Sequence, residues 1–321
     1  MQDREKKKRI LLSGGHTEGE ERRKMVQELA DIFGRNFPLV VRDHASVLRI
    51  LGNDENIVFE ERSAQNTLIG AAVVNKSTIL MLCVDQEYRR QGIGSRLLKK
   101  AEEAIRGKGF EKINIGCGFD YLTLGVPTSK RYFPAENEEL YPELDEAASD
   151  FFVHRGYAHS WDCNCFDMRF PLSEFKQNGY GIGVEIEGIT YCFAVSGDKD
   201  DVCGCMDDAF PEFTGYYRED ALYQKEEGGR ILIAVSKNKV VGALIAGGED
   251  AARGLGSVGC VAVRKGWRGR NIAKNLVLVG TKYLKDSGFR EAYLSYTYSG
   301  LDHMYGYAGY RICMYFMMAV K

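Results

Sequence analysis

Val84-Asp-Gln-Glu-Tyr-Arg-Arg-Gln-Gly-Ile-Gly-Ser-Arg-Leu-Leu98 and Val263-Arg-Lys-Gly-Trp-Arg-Gly-Arg-Asn-Ile-Ala-Lys-Asn-Leu-Val277 lie over one another without a gap. Val, an aromatic, Arg, Ile, a small residue and Leu fall at identical places. Each segment leaves an apolar run and enters apolar residues at helical spacing, so each reads as strand, loop and helix. Gly109-Phe110 falls on Gly288-Phe289 at the same offset. Arg155-Gly156-Tyr157 answers Ala308-Gly309-Tyr310 at a smaller one, which puts an insertion in the first copy between Gly118 and about Asp145. The chain is two copies of one domain, one of them enlarged.

Outward from these loops the pattern repeats. Strands are expected at Ile57–Glu61, Thr67–Val74 and Ser77–Val84, a helix over Gly92–Arg106, and a further strand over Lys112–Cys117. In the second copy the strands are Ile231–Val235, Val240–Ala246 and Gly256–Val263, followed by a helix over Asn271–Lys285 and a strand at Glu291–Ser295. Short helices at Ala147–His154 and Leu301–Tyr307 precede closing strands near Asp162–Phe170 and Arg311–Ala319. The polar stretch Pro171–Gly183 reads as a linker. The domains are therefore expected at 1–175, with the insertion at 118–145, and at 180–321.

Composition narrows the function. A chain of 321 residues suits two domains, and 45% hydrophobic residues give each a core. A net charge of −2 argues against a nucleic-acid partner, which demands a basic face. The run Lys6–Arg9 is short and balanced by Asp3 and Glu5, a solvated terminus. No stretch approaches the ~20 apolar residues of a membrane span, so no membrane partner is expected. Only Ile10-Leu11-Leu12 follows the charged start, too little for a signal peptide, and a cytoplasmic location is expected. Nine cysteines then read as reduced thiols. The pairs Cys163/Cys165 and Cys203/Cys205 lack the Cys-x2-Cys spacing of a zinc site, and no metal is expected.

The loop Arg89–Gly94 has the chemistry of anion binding. Unpaired N–H groups and the helix dipole face outward at a helix start. Glycine at Gly92 and Gly94 lets the backbone approach a phosphate, and Arg89 and Arg90 add charge. Arg89-x-x-Gly92-x-Gly94 after a strand resembles the Arg/Gln-x-x-Gly-x-Gly/Ala motif of the GNAT acetyltransferase superfamily. The likeness covers both halves, so the chain is similar to tandem-domain members such as mycothiol synthase. The resemblance implies two α/β (α+β) domains, each a mixed, mostly antiparallel sheet flanked by helices. It implies acetyl-CoA as cofactor, its diphosphate cradled by Arg89, Arg90, Gln91, Gly92, Ile93, Gly94 and Ser95. The pantetheine arm would run beside Leu82 and Val84, or beside Val261 and Val263. In the second loop Arg268 and Ala273 are retained, but Asn271 replaces the central glycine, which implies a poorer approach to phosphate.

The superfamily also often ends its last helix in a Tyr followed four residues later by Gly and an aromatic. Tyr305-Gly-Tyr-Ala-Gly309-Tyr310 fits, and the resemblance makes Tyr305 the acid that protonates the departing thiolate; the first half has Phe152 there. Tyr305 reads equally well as a core aromatic. The implied reaction is attack of a primary amine, on a small molecule or peptide, upon a thioester. An alkylammonium has a pKa of about 10.4, so a base is needed, and the strand Thr78–Val84 offers none. The proline- and tyrosine-rich insertion is the expected substrate element. Its carboxylates (Glu136, Glu138, Glu139, Glu143, Asp145, Glu146) either attract an amine or form a solvated turn. The complete loop and the insertion together favour the first half as the catalytic one, with water or a tyrosine such as Tyr121 or Tyr132 as its acid. A non-catalytic acyl-CoA-binding sensor or scaffold is the alternative that Phe152 and Asn271 leave open.

Overall fold

The computed structural model describes residues 16–116, 121–224 and 229–321; the basic run at 6–9 and residues 118–120 of the insertion lie outside them. The chain divides into two compact units. One runs to Val40 and then over His44–Thr123; the other takes Val41–Asp43 and Leu124–Lys321.

In the first unit two helices, α1 (His16–Asn36) and α2 (His44–Leu51), precede the meander β1 (Ile57–Arg62), β2 (Leu68–Asn75) and β3 (Thr78–Val84), paired antiparallel. α3 (Ile93–Gly107) crosses back, and β4 (Asn114–Ile115) pairs parallel with β3. All of β2 but Asn75 is buried, because it is central and covered on both faces. α3 buries the stripe Ile93, Leu97, Leu98, Ala101 and Ile105. The four larger side chains, nearly all of their apolar area removed from water, contribute about 1.5–3 kcal/mol each before entropy is subtracted. α1 covers the other face with Leu29, Ile32 and Phe33.

The second unit holds β5 (Val126–Thr128), α4 (Ala147–Val153), β6 (Ala158–His159), β7 (Cys165–Pro171), β8 (Val184–Ile186), β9 (Ile189–Phe193), α5 (Lys199–Ala209), β10 (Arg230–Ser236), β11 (Lys239–Asp250), β12 (Leu255–Val263), α6 (Ile272–Asp286), β13 (Glu291–Tyr298), α7 (Asp302–Gly306), β14 (Arg311–Met317) and β15 (Ala319–Val320). Nine strands form one sheet in the order β5-β14-β7-β13-β12-β11-β10-β9-β8, with only β12 and β13 joined parallel. α6 packs on one face over Leu244, Val258 and Leu294. α5 packs on the other over Ile231, Ile233 and Ala243.

The boundary read from the repeat and the division into units do not coincide. β7, the expected closing strand of the first copy, lies between β13 and β14, antiparallel to both. Phe166, Met168 and Phe170 alternate along it into the core beneath α6, so the strand is held by the second unit's apolar face. The insertion follows it, since β5 extends the same sheet beyond β14. The stretch Pro171–Gly183 is not a loose linker at its start: Leu172 and Phe175 are buried in the same core.

Candidate active site

The two loops have one backbone conformation. After β3 a 3-10 turn (Gln86–Tyr88) leads through Arg89–Gly92 into α3, and after β12 the turn Lys265–Trp267 leads through Arg268–Asn271 into α6. Two residues of each loop are left-handed: Arg90 and Gly92 at φ +62° and +78°, Gly269 and Asn271 at +76° and +56°. Glycine and non-glycine have exchanged places, so Asn271 does not disrupt the loop; asparagine tolerates this region best among residues with a Cβ. Neither helix has a side-chain cap. Its first-turn N–H groups therefore face outward for an anion. A Cβ on Gly269 would meet nothing within 4 Å, and one on Gly92 only the Arg96 guanidinium at 3.4 Å. Beside the second loop lies an open cleft of about 600 Å³ lined by Trp267, Gly269, Arg270, Asn271 and the turn residues Glu187 and Lys237.

The motif arginines brace these loops. Arg89 donates from Nε to the Val84 carbonyl and from Nη2 to Asn36 at the end of α1, at 2.9 and 3.0 Å. Arg268 donates to the Val263 carbonyl and to the Ala209 carbonyl at the end of α5, at 3.2 and 2.9 Å. Both guanidiniums tie the loop to the preceding strand and helix. The other cations at the loops are Arg90 in the first and, in the second, Arg270 over the Trp267 ring at 4.8 Å and Lys274 over the Tyr307 ring at 3.0 Å. Of the remaining first-loop residues, Gln91 bonds the Glu87 carbonyl and Ile93 is buried as a helix anchor. Ser95 lies exposed on the first turn of α3, and Gly94 is half-buried.

The strands before the loops differ. β12 and β13 pair only at Leu255–Glu291 and Gly256–Ala292 and then part. β12 bulges at Cys260, which has φ +51° and whose carbonyl accepts the Tyr217 hydroxyl at 2.7 Å. Gly259, Cys260 and Val261 are half-buried in mid-sheet, Val263 is buried, and a Cβ on Gly259 would meet nothing within 4 Å. At the matching places of β3, Leu80 and Met81 are buried in the core, while Leu82 and Val84 are half-buried. On β13, past the point of parting, the buried Thr297 hydroxyl has no hydrogen-bond partner, a vacancy of the kind a bound polar group fills.

A profile of the Acetyltransferase (GNAT) family matches residues 26–121 and again 200–308. The chain belongs to the GNAT acetyltransferase family. No relative among curated proteins matches the sequence. Solved structures share the fold at low identity. A GCN5-related N-acetyltransferase from Sphaerobacter thermophilus has TM-score 0.63 and 18% identity, with 93% of each chain covered. A tandem GNAT protein from the clavulanic acid biosynthesis pathway has TM-score 0.66 and 15% identity, with 93% and 94% covered. A glucosamine N-acetyltransferase region of a fungal GH3 β-N-acetylglucosaminidase has TM-score 0.68 and 17% identity; 92% of the present chain spans only 37% of that one. GNAT proteins generally use acetyl-CoA, and the twin anion loops, the parted strands and the orphan Thr297 hydroxyl fit that group.

The tyrosine singled out in the sequence packs in the core beneath α6, edge-on to Tyr310 at 5.9 Å. Tyr305, on α7, is buried, and Cys260 of β12 and Tyr298 of β13 both act electrostatically on its hydroxyl. Burial raises that phenol far above its usual range, so it stays protonated and able to donate. Ala273, half-buried, lies in the first turn of α6 below the loop. The insertion packs beside α7: a Cβ on Gly306 would strike Asn137 at 2.6 Å, and Asn137 and Glu139 bond the backbone of Ile312. Its carboxylates are largely engaged. Glu138 binds Arg131 and the Tyr315 hydroxyl, Glu139 faces Arg169 and Arg311, and Glu146 faces Lys130. Glu136 faces His303 at 3.8 Å, and Asp145 accepts the Ala147 N–H. Tyr132, raised as an acid for the first half, lies in the second unit and stacks on His159 at 4.0 Å. Sequence reading missed Gly259 and Tyr217. No local pattern marks them, because their meaning depends on where two strands part.

Proposed function

We propose that the second unit transfers an acetyl group from acetyl-CoA to the primary amine of a small molecule or peptide. The observation that carries this reading is the partly exposed stretch Gly259–Val261 of a central strand, with the protonated Tyr305 close to Cys260. The loop N–H groups, Arg270 and Lys274 would hold the diphosphate. The bulged strand offers backbone N–H groups to the oxygen that gains charge as the amine attacks. Tyr305 would donate its proton to the sulfur as the C–S bond breaks. Acetyl-CoA supplies the activated acyl group; orientation and proton movement fall to the protein.

The first unit keeps the loop, but Leu80 and Met81 fill the place that Gly259 and Cys260 leave open. From Leu124 onward the insertion, one of the two grounds for favouring that half, belongs to the second unit. Among the described residues no helix is long and apolar enough to cross a membrane. The free thiols of the described residues suit a reducing compartment, which supports a cytoplasmic reaction. The test is incubation of the full chain with acetyl-CoA and a panel of amines, following free coenzyme A and acetylated product by mass. Transfer to at least one amine is expected. Coenzyme A binding with no transfer to any amine would support the sensor reading instead.

A further inference from the structure

The acceptor ammonium must lose a proton before it attacks, and β12 itself has no acid or histidine. The face of the second sheet away from α6 has a half-buried polar pair, Glu249 and Ser257, at the apex where β12 and β13 part. Between the pairs Gly248–Gly256 and Asp250–Leu255 the strand β11 carries one extra residue, Glu249. A bulge re-aims a side chain. Gly248 and Gly256 both face Phe289 on the α6 side, so Glu249 and Ser257 face the other way, and Ser257 favours the charged form of the carboxyl. Ser257 is two residues from Gly259 and points to the same face, where the open space lies.

The groups around this carboxyl are mixed. Arg42, brought by the tripeptide Val41–Asp43, favours its charged form, while Asp43 and Asp250 oppose it. Burial outweighs these and raises its proton affinity above the ordinary carboxylate range. The neighbouring Asp167 is not available for the same work. Its two oxygens accept the Tyr293 hydroxyl at 2.8 Å and the Tyr296 N–H at 2.9 Å, and it is fully enclosed.

We propose that Glu249 is the group that takes the proton from the acceptor ammonium, its carboxylate flanked by Ser257 and Arg42. This rests on the acetyl-transfer reading above. The ammonium gives one proton to the Glu249 carboxylate, and the freed nitrogen pair forms the C–N bond as the C–S bond breaks. The sulfur takes the Tyr305 proton, and the second nitrogen proton restores Tyr305. The proton on Glu249 returns to solvent, so one amide, one thiol and one released proton balance the reaction.

The test is the pH dependence of kcat/KM for the full chain, wild type against Glu249→Gln and Glu249→Asp, with coenzyme A affinity measured on each. Glu249→Gln should lose about 10²- to 10⁴-fold at neutral pH, within the usual range for a lost general base, with coenzyme A affinity unchanged. Its rate should climb with pH as the amine deprotonates itself. Glu249→Asp, which keeps a carboxylate at the bulge, should retain a wild-type acid limb at reduced rate. Undiminished activity in Glu249→Gln, or an unchanged acid limb in it, overturns this assignment and leaves acetyl transfer standing. No transfer by the wild type to any amine would bring down both.

Discussion

Arg268 donates its Nε–H to the carbonyl of Val263, five residues upstream, at 3.2 Å, as Arg89 does to Val84 at 2.9 Å. The pairing recurs in both repeats, and the second arm of the guanidinium ends on α1 in one and on α5 in the other. It makes the motif arginine a brace rather than a free cation. Arg268→Lys keeps the charge but loses the two-directional fork. Coenzyme A affinity is expected to fall about tenfold, close to the ~1.4 kcal/mol of one good hydrogen bond. Calorimetry checks this; unaltered affinity would mean that charge, not bracing, is what the site needs.

The two loops can be told apart by one kind of change. Glutamate at Gly92 or at Asn271 brings bulk and negative charge to a left-handed helix start in each unit. With chemistry in the second unit, Asn271→Glu should cut acetyl transfer at least 100-fold, while Gly92→Glu should leave most of it. The reverse order, with both variants folded by circular dichroism, would return catalysis to the first unit.

What the sequence disclosed was local and periodic. The loop motif, the α3 stripe and the Tyr305–Gly309 spacing all follow from residues a few positions apart. β7 carried no such signal. Phe166, Met168 and Phe170 announce a strand with one apolar face, and nothing in that alternation says which sheet receives it. Glu249 was hidden for a related reason: a bulge is a property of two paired strands, and β11 by itself reads as an ordinary run. α1 was overlooked because its charged residues mask Leu29, Ile32 and Phe33.

Tyr305→Phe removes the proton donor and little else, since the ring remains packed against Tyr310 at 5.9 Å. kcat should fall roughly ten- to a thousand-fold with coenzyme A affinity nearly unchanged. Because burial raises the phenol's pKa, the wild type should show no loss of activity from its ionisation up to about pH 10, the ordinary tyrosine value. A Tyr305→Phe enzyme with wild-type kcat would make this residue a core aromatic.

Asp167 offers a stability test. Burial pushes its carboxyl up from 3.8 to about 6, against the donors Tyr293 and Tyr296 and the charge of Arg42. The folded chain therefore keeps a proton that the unfolded chain has shed between those values, so this group's contribution to stability falls as pH rises from about 4 to about 6. Asp167→Asn cannot ionise and lacks that slope. Urea unfolding at pH 4.5 and pH 7 should show the wild type losing stability relative to the variant at the higher pH. A constant difference, or one that grows in favour of the wild type, would mean that the carboxyl is not raised.

Gly259 is where the two repeats differ most plainly in substance. A Cβ there meets nothing, whereas Leu80 at the matching position of the first repeat is buried in its core. Gly259→Leu should fill the open face beside Ser257 and Glu249 and leave the loop and Tyr305 on their own elements. The backbone there is not left-handed, so a side chain brings no φ strain. Acetyl transfer should drop at least tenfold in kcat/KM, most for the bulkiest amines, because the lost volume is on the acceptor side. Coenzyme A affinity should stay within about threefold, since its anion loop is untouched. Kinetics with a small and a bulky amine, alongside calorimetry with coenzyme A, separate the outcomes. Equal losses for both amines with weakened coenzyme A binding would place the open space on the cofactor's path instead of the acceptor's.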